Sequence, residues 1–261
     1  MRKNLDEFYV GYHERMPPAT GVFFKKIIAG LLLLVAICAF VLASGQSAFY
    51  PSIFEFGVER TFEGIIVEQP YPVLLMQPSG ANQNGDATSS RIYLVAFGKF
   101  GAAGRVAGMA GQKVRLRGSL IYRDGETMIE IADSPIERIS GEITHGASFV
   151  KGPGAGVSMG ELTAVGEIVD SKCFLGVMNP GNLKTHKACA IRCISGGIPP
   201  VFVVKTADGP AKYFLLVSED GKAVNQQVLS MIAEPVKITG ELEQHGDMYF
   251  LRADPANYVL Q

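Results

Sequence analysis

The sequence has no tryptophan, only four cysteines and four histidines, and no excess of either charge. Lys+Arg 24 against Asp+Glu 25 leaves a net charge of −1. Without a basic excess there is no general electrostatic argument for a nucleic-acid partner. Four Cys in 261 residues exclude a disulfide-dense miniprotein. A charged content of 19% against 48% hydrophobic excludes a disordered chain. There is no Gly-Lys-Ser/Thr phosphate loop and no dinucleotide fingerprint. Cys-x-x-Cys-His for covalent haem is missing, as are the Cys-x-His pairs of a Rieske cluster. Gly152–Gly160 is glycine-rich but follows no clear strand and has no partner lysine, so it reads as linker. No Ser-His-Asp set and no carboxylate pair is marked.

What is abundant is turn residues, Gly 30 and Pro 14, between short runs of Val, Ile, Leu, Phe and Tyr. That pattern predicts a mainly β fold. The exception lies near the N-terminus, where Ile27 to Phe54 carries no charge. At about 1.5 Å per residue the run can cross a hydrocarbon layer about 30 Å thick. Lys25 and Lys26 precede it, and no basic residue follows until Arg60. The expectation is a cytoplasmic leader at 1–26 and a transmembrane helix at 27–48, with everything beyond on the far side. A cleaved signal peptide is the alternative, disfavoured by the long leader carrying Asp6, Glu7 and Glu14. Cys38 lies in this run and reads as a small hydrophobe.

The remainder contains an internal repeat. Gly64–Pro78, GIIVEQPYPVLLMQP, aligns without a gap on Gly166–Pro180, GEIVDSKCFLGVMNP, so that Tyr71 faces Cys173 and Met76 faces Met178. Val114–Leu120, VRLRGSL, aligns on Val236–Leu242, VKITGEL, at an offset larger by 20. The extra residues are expected between Pro180 and about Lys212. Each copy reads as three strands, a short helix and two strands. The helices are expected at Gly104–Ala110 and Ala223–Ile232, and hairpin turns at Asp124-Gly125 and His245-Gly246. This order predicts two tandem OB-like β-barrel domains, at 56–140 and 161–261, joined by a Gly-rich linker at 141–160. A generic β-sandwich is the runner-up.

Duplication makes the first copy an internal control. It has no Cys and no His between Phe56 and Ile139, whereas the second has Cys173, His186, Cys189 and Cys193. On a helix over Lys184–Ile194, capped by Thr185, three of these stand at i, i+3 and i+7 and share one face. Cys173, leaving the first strand of its copy, can fold back as a fourth donor. Gly196, Gly197, Pro199 and Pro200 would fix the loop that closes the site. Three thiolates and an imidazole suit tetrahedral Zn²⁺, with Cu as the alternative metal. Lys184, Lys187 and Arg192 would lower the thiol pKa values. Two other readings stay open: a disulfide with one thiol left over, and a thiol-redox centre. His145 in the linker and His245 in a turn read as solvated surface residues.

The run DSKCFLGVMNPGNLKTHKACAIRCISGGIPPV (Asp170–Val201) resembles a pattern in uncharacterised bacterial membrane-anchored proteins. They share Cys-Phe-Leu-Gly-Val-Met-x-Pro-Gly and His-x2-Cys-x3-Cys-Ile-x-Gly-Gly-Ile-Pro-Pro. EFYVGYHERMPP (Glu7–Pro18) is similar to the short cytoplasmic leader of the same group. The resemblance implies a single-pass protein of the bacterial inner membrane, N-terminus cytoplasmic and C-terminal domains periplasmic, accompanying respiratory oxidoreductases. The expectation is a non-catalytic, metal-binding accessory subunit. Its partners would be the lipid bilayer and a membrane-associated redox complex, with no nucleic acid. The alternatives are a periplasmic thiol-redox enzyme and a disulfide-stapled interaction module.

Overall fold

The computed structural model describes residues 16–47, 52–76, 90–140, 156–206 and 211–261. The chain divides into an N-terminal part ending at Tyr50 and a folded body, Pro51–Gln261.

Among the described residues, the N-terminal part forms one helix, α1 (Pro18–Ser47). Pro18 opens it where a missing N–H costs nothing. Its apolar side chains are exposed on every side, including Leu32, Leu33, Phe40 and Leu42. Thr20–Gly45 is long and apolar enough to cross a membrane, by length and composition alone. The helix thus begins within the segment expected to be leader, at Pro18, and takes in Lys25 and Lys26.

Among the described residues the body is β-strand apart from short helices and turns. The first copy comprises β1 (Ser52–Phe54), β2 (Arg60–Val67), β3 (Val73–Met76), β4 (Ser90–Val95), α2 (Ala103–Val106), β5 (Lys113–Arg123), β6 (Glu126–Ile131) and β7 (Glu137–Arg138). The second comprises β8 (Val157–Asp170), α3 (Lys187–Ser195), β9 (Pro200–Val204), β10 (Lys212–Val217), β11 (Pro235–His245), β12 (Met248–Arg252) and β13 (Val259–Leu260). In the first copy β2 pairs with β3 and β5, β3 with β4, and β6 with β5, while β4 and β6 run parallel and close the barrel. The second copy repeats every pairing, with β10 and β12 parallel. Two five-stranded barrels with this closure have the OB-like topology expected from the repeat.

Several boundaries differ from expectation. β8 starts at Val157, so residues 157–160 are strand rather than linker. Residues 141–155, with His145, lie outside the described residues. The short helix of the first copy spans only Ala103–Val106, and its counterpart is a 3-10 turn at Leu229–Met231. The first hairpin turns at Asp124-Gly125 as expected, both at positive φ. The second turns at Gly246-Asp247, because His245 is still in the ladder opposite Met248.

The register also relocates the insertion. Gly64 opposite Val114 matches Gly166 opposite Val236, so the copies agree up to Glu68 and Asp170. Val73, opposite Val67, then answers to Val201, opposite Val169. The extra chain is therefore Ser171–Pro199, starting ten residues earlier than expected. Met76 lies in β3 and Met178 in the insertion, so their sequence match is fortuitous. Periodicity missed this because both chains leave the strand through a Pro-containing stretch before the next apolar run.

The strands of the barrel walls are apolar on both faces for a reason. Ile66, Leu74, Leu94, Leu116 and Ile129 fill the first barrel. Ile168, Phe202, Leu216, Ile238 and Leu251 fill the second. The alternate residues Ile65, Val73 and Tyr93 meet Val169, Val201, Leu215 and Phe250 in a third core between the barrels. Each fully buried aliphatic side chain contributes about 1.5–3 kcal/mol of transfer free energy. The two tandem barrels thus pack against each other in one folded body. Tyr71 seals the join from the first copy, its hydroxyl donating to the Leu216 carbonyl (3.1 Å) and accepting from the Val224 N–H (3.0 Å).

Candidate metal centre

The insertion begins where Asp170 ends β8. A π-helical turn, Cys173–Val177, follows, and a 3-10 turn at Lys184–His186 leads into α3. No side chain caps α3, and Thr185 reaches only the Asn182 carbonyl at 3.5 Å. The ordered start of α3 comes from the 3-10 turn rather than from the expected cap.

The four expected donors fall into two sets that overlap at Cys173. The ligand atoms of Cys173, His186 and Cys189 lie within 4.8 Å of one another, and those of Asp170, Cys173 and Cys193 do the same. Cys173 and Cys193 Sγ are 4.0 Å apart. Thiolates sharing one zinc at about 2.3 Å stand about 3.8 Å apart, so this spacing fits a common ion. The cluster could hold a metal ion. The cysteines are free thiols; Cys173, Cys193 and His186 are buried and Cys189 is half-buried.

Asp170 was not singled out by sequence. It is wholly buried, and its two oxygens are both used. Oδ1 accepts the Cys173 N–H at 2.8 Å, and Oδ2 lies 3.0 Å from His186 Nε2. A histidine that gives one N–H to a carboxylate presents its other nitrogen, here Nδ1, as a fixed lone pair. The only sequence signal was that Asp170 replaces Glu68 at the matching strand end.

The first barrel enters the site as well. The β4–α2 loop, residues 96–102, lies against the insertion and places Lys99 Nζ 2.6 Å from Cys189 Sγ and 4.0 Å from Cys193 Sγ. The ammonium itself is raised in pKa, chiefly by its bond to Cys189. Lys99 takes the place expected for Lys184 and Lys187, which pair with Glu234 instead. Hydrogen bonding to Cys193, and then burial, push the Cys173 thiol far up, while Cys193 is lowered by receiving that bond.

Two features hold the loop. Lys172 is buried and donates to the Ala96 (2.9 Å) and Gly98 (2.7 Å) carbonyls while pairing with Glu130. Gly101 N–H donates to the Gly196 carbonyl at 2.9 Å. The approach is so close that a Cβ on Gly196 would stand 2.0 Å from the Lys99 carbonyl oxygen. Gly196 thus lies close against the 96–102 loop, and within the insertion the Pro199 carbonyl accepts the Ser171 hydroxyl at 2.8 Å. The first barrel thus contributes Lys99 and Glu130 to the surroundings of the site.

His245, read from sequence as a solvated turn residue, is buried against Phe250, with Nε2 2.9 Å from Glu243. It belongs to a Glu243–Arg252 network in the second barrel, away from the cysteine cluster.

No protein-family model and no curated protein matches the chain. Among solved structures it is similar to a deletion mutant of the single-stranded DNA binding protein from Thermus aquaticus. The identity is 12%, with 80% of this chain and 95% of that chain covered, and the TM-score is 0.21. At that score the likeness adds nothing to the barrel topology read from the strand pairings.

Proposed function

We propose that the chain is a membrane-anchored, non-catalytic metal-binding protein, accessory to a redox system on the periplasmic side of a bacterial inner membrane. Cys173, His186, Cys189 and Cys193 are the ligands, and the ion is a divalent one, Zn²⁺ first. The observation that carries this reading is the His186–Asp170 pair beside the Cys173 and Cys189 thiols, with Cys193 Sγ 4.0 Å from Cys173 Sγ. Charge arithmetic supports a divalent ion. Three thiolates, the Asp170 carboxylate and M²⁺ leave two negative charges, one of which the Lys99 ammonium offsets, whereas Cu⁺ would leave three. α1 supports the anchor, and the charge asymmetry around it supports the orientation.

A second reading, a thiol-redox centre, is favoured by the 4.0 Å approach of Cys173 to Cys193. Metal analysis and thiol counting separate the two. The full chain is purified anaerobically in detergent without chelator. One equivalent of metal per chain, lost in Cys189→Ser, with thiols protected until the metal is removed, supports the metal centre. A metal-free protein that cycles reversibly between a Cys173–Cys193 disulfide and two thiols replaces it with the redox reading.

A further inference from the structure

Lys99 and Cys189 come together from opposite barrels. The Nζ to Sγ distance is 2.6 Å. It is close to the span of a nitrogen and a sulfur that are both bonded to one oxygen.

The surroundings favour chemistry at this pair over the other two thiols. Lys99 is largely exposed and Cys189 half-buried, so a small oxidant reaches both, whereas Cys173 and Cys193 are buried. The lysine cannot simply swing its backbone away. Its loop is fixed on one side by Lys172 at Ala96 and Gly98, and on the other by Gly101 at Gly196. An amine held against a thiolate on a preorganised framework is the arrangement that makes a two-centre reaction effectively intramolecular.

The geometry points to Lys99 and Cys189 as a modification site: an oxidative N–O–S cross-link that joins the two barrels and takes Cys189 out of the metal-binding set. The oxidant is dioxygen. Lys–NH3⁺ and Cys–S⁻ react with O2 to give Lys–NH–O–S–Cys and one water. Nitrogen and sulfur each give up two electrons, and dioxygen takes all four. One oxygen atom is kept in the bridge, and the other leaves as water with two of the three protons. Two equivalents of a dithiol reductant, each giving two electrons and two protons as it closes to its disulfide, reverse the bridge, returning amine, thiol and water. The bridge itself does not depend on the metal reading. Its consequence, oxidation-linked loss of the ion, does rest on that reading.

The test uses the full chain in detergent, stripped of metal by chelator, then split between anaerobic and aerated buffer. Peptide mapping by mass spectrometry is expected to find, only after aeration, the Lys99 peptide joined to the Cys189 peptide. Its mass is the sum of the two plus one oxygen minus two hydrogens. The species disappears on reduction and does not form in Lys99→Arg, whose melting temperature is checked against the parent to establish that it folds. Cys189 recovered instead as a sulfinic acid or in a disulfide, with Lys99 unlinked, overturns the proposal. Zn²⁺ titration of the same two samples keeps the readings apart. Reduced protein that binds and bridged protein that does not is the expected pair. A bridge that forms in a chain binding no Zn²⁺ even when reduced leaves the cross-link standing and removes the metal centre.

Discussion

The carboxylate of Asp170 serves Cys173 and His186 together: one oxygen takes the cysteine's backbone N–H at 2.8 Å, the other lies 3.0 Å from the imidazole. A strand end, a π-helical turn and the start of α3 are therefore tied at one buried side chain. Asp170→Asn keeps the shape but offers an amide N–H where a second acceptor is needed. Removing such a partner behind a ligating histidine weakens metal binding by about 10–100-fold. Competition of the variant and parent against a fluorescent zinc chelator measures it. Unchanged affinity would show that His186 is not a ligand.

Lys172 and Glu130 form a buried ion pair across the barrels, at 2% and 9% exposure. Breaking a buried pair from one side leaves an unpaired charge and costs about 3–5 kcal/mol. Lys172→Met is expected to lower stability by that order in urea melts, and Glu130→Gln in the same background to recover most of it. If the single variant were as stable as the parent, the clamp on the 96–102 loop would have no energetic role.

Gly196→Ala puts a methyl 2.0 Å from the Lys99 carbonyl oxygen, where backbone rather than a flexible side chain must move. The loop then lifts from the insertion, and Lys99 leaves Cys189. Two outcomes are expected together: a loss of a few kcal/mol of stability, and faster alkylation of Cys189 in the folded, metal-free protein. Loss of stability without faster alkylation would place the strain elsewhere.

Burial, and then the nearby Asp247, push the Glu126 carboxyl up to about 7. The folded state therefore holds a proton that the unfolded state has released. Stability is highest below about pH 4.5 as far as this group is concerned. It falls as pH rises towards 7 and is flat beyond. The full effect is on the order of 3 kcal/mol, since one pKa unit is about 1.4 kcal/mol. Glu126→Gln is expected to flatten this limb in melts taken between pH 4.5 and 8. A slope that persists in the variant assigns it to another group.

Much of this was legible from residue order. The repeat, the strand sequence, the turn at Asp124-Gly125 and the four donors all follow from local patterns, because period-2 strands and helical spacing are local properties. What was not legible is contact between copies. Lys99 lies 90 residues from Cys189, and nothing in AFGKFG marks it as part of a thiol site. Asp170 looked like a conservative exchange for Glu68, and its burial is decided by the insertion that follows it. The placement of that insertion failed because Met76-Gln77-Pro78 and Met178-Asn179-Pro180 match in letters although Met76 lies in β3 and Met178 in the insertion. His245 was misread because a turn one residue later leaves it on the inner face of β11.

Tyr71 bears on what can be transplanted. Its hydroxyl bridges two backbone groups of the other copy, so a second barrel expressed alone would have a bare amide at Val224 and a bare carbonyl at Leu216. A graft of Ser171–Pro199 onto a foreign barrel would carry three sulfurs and an imidazole but neither the aspartate beneath them nor the lysine above. Gene duplication supplied two similar halves here. What is inherited now is a single indivisible object, and protein engineers seeking its cluster would have to borrow the whole of it.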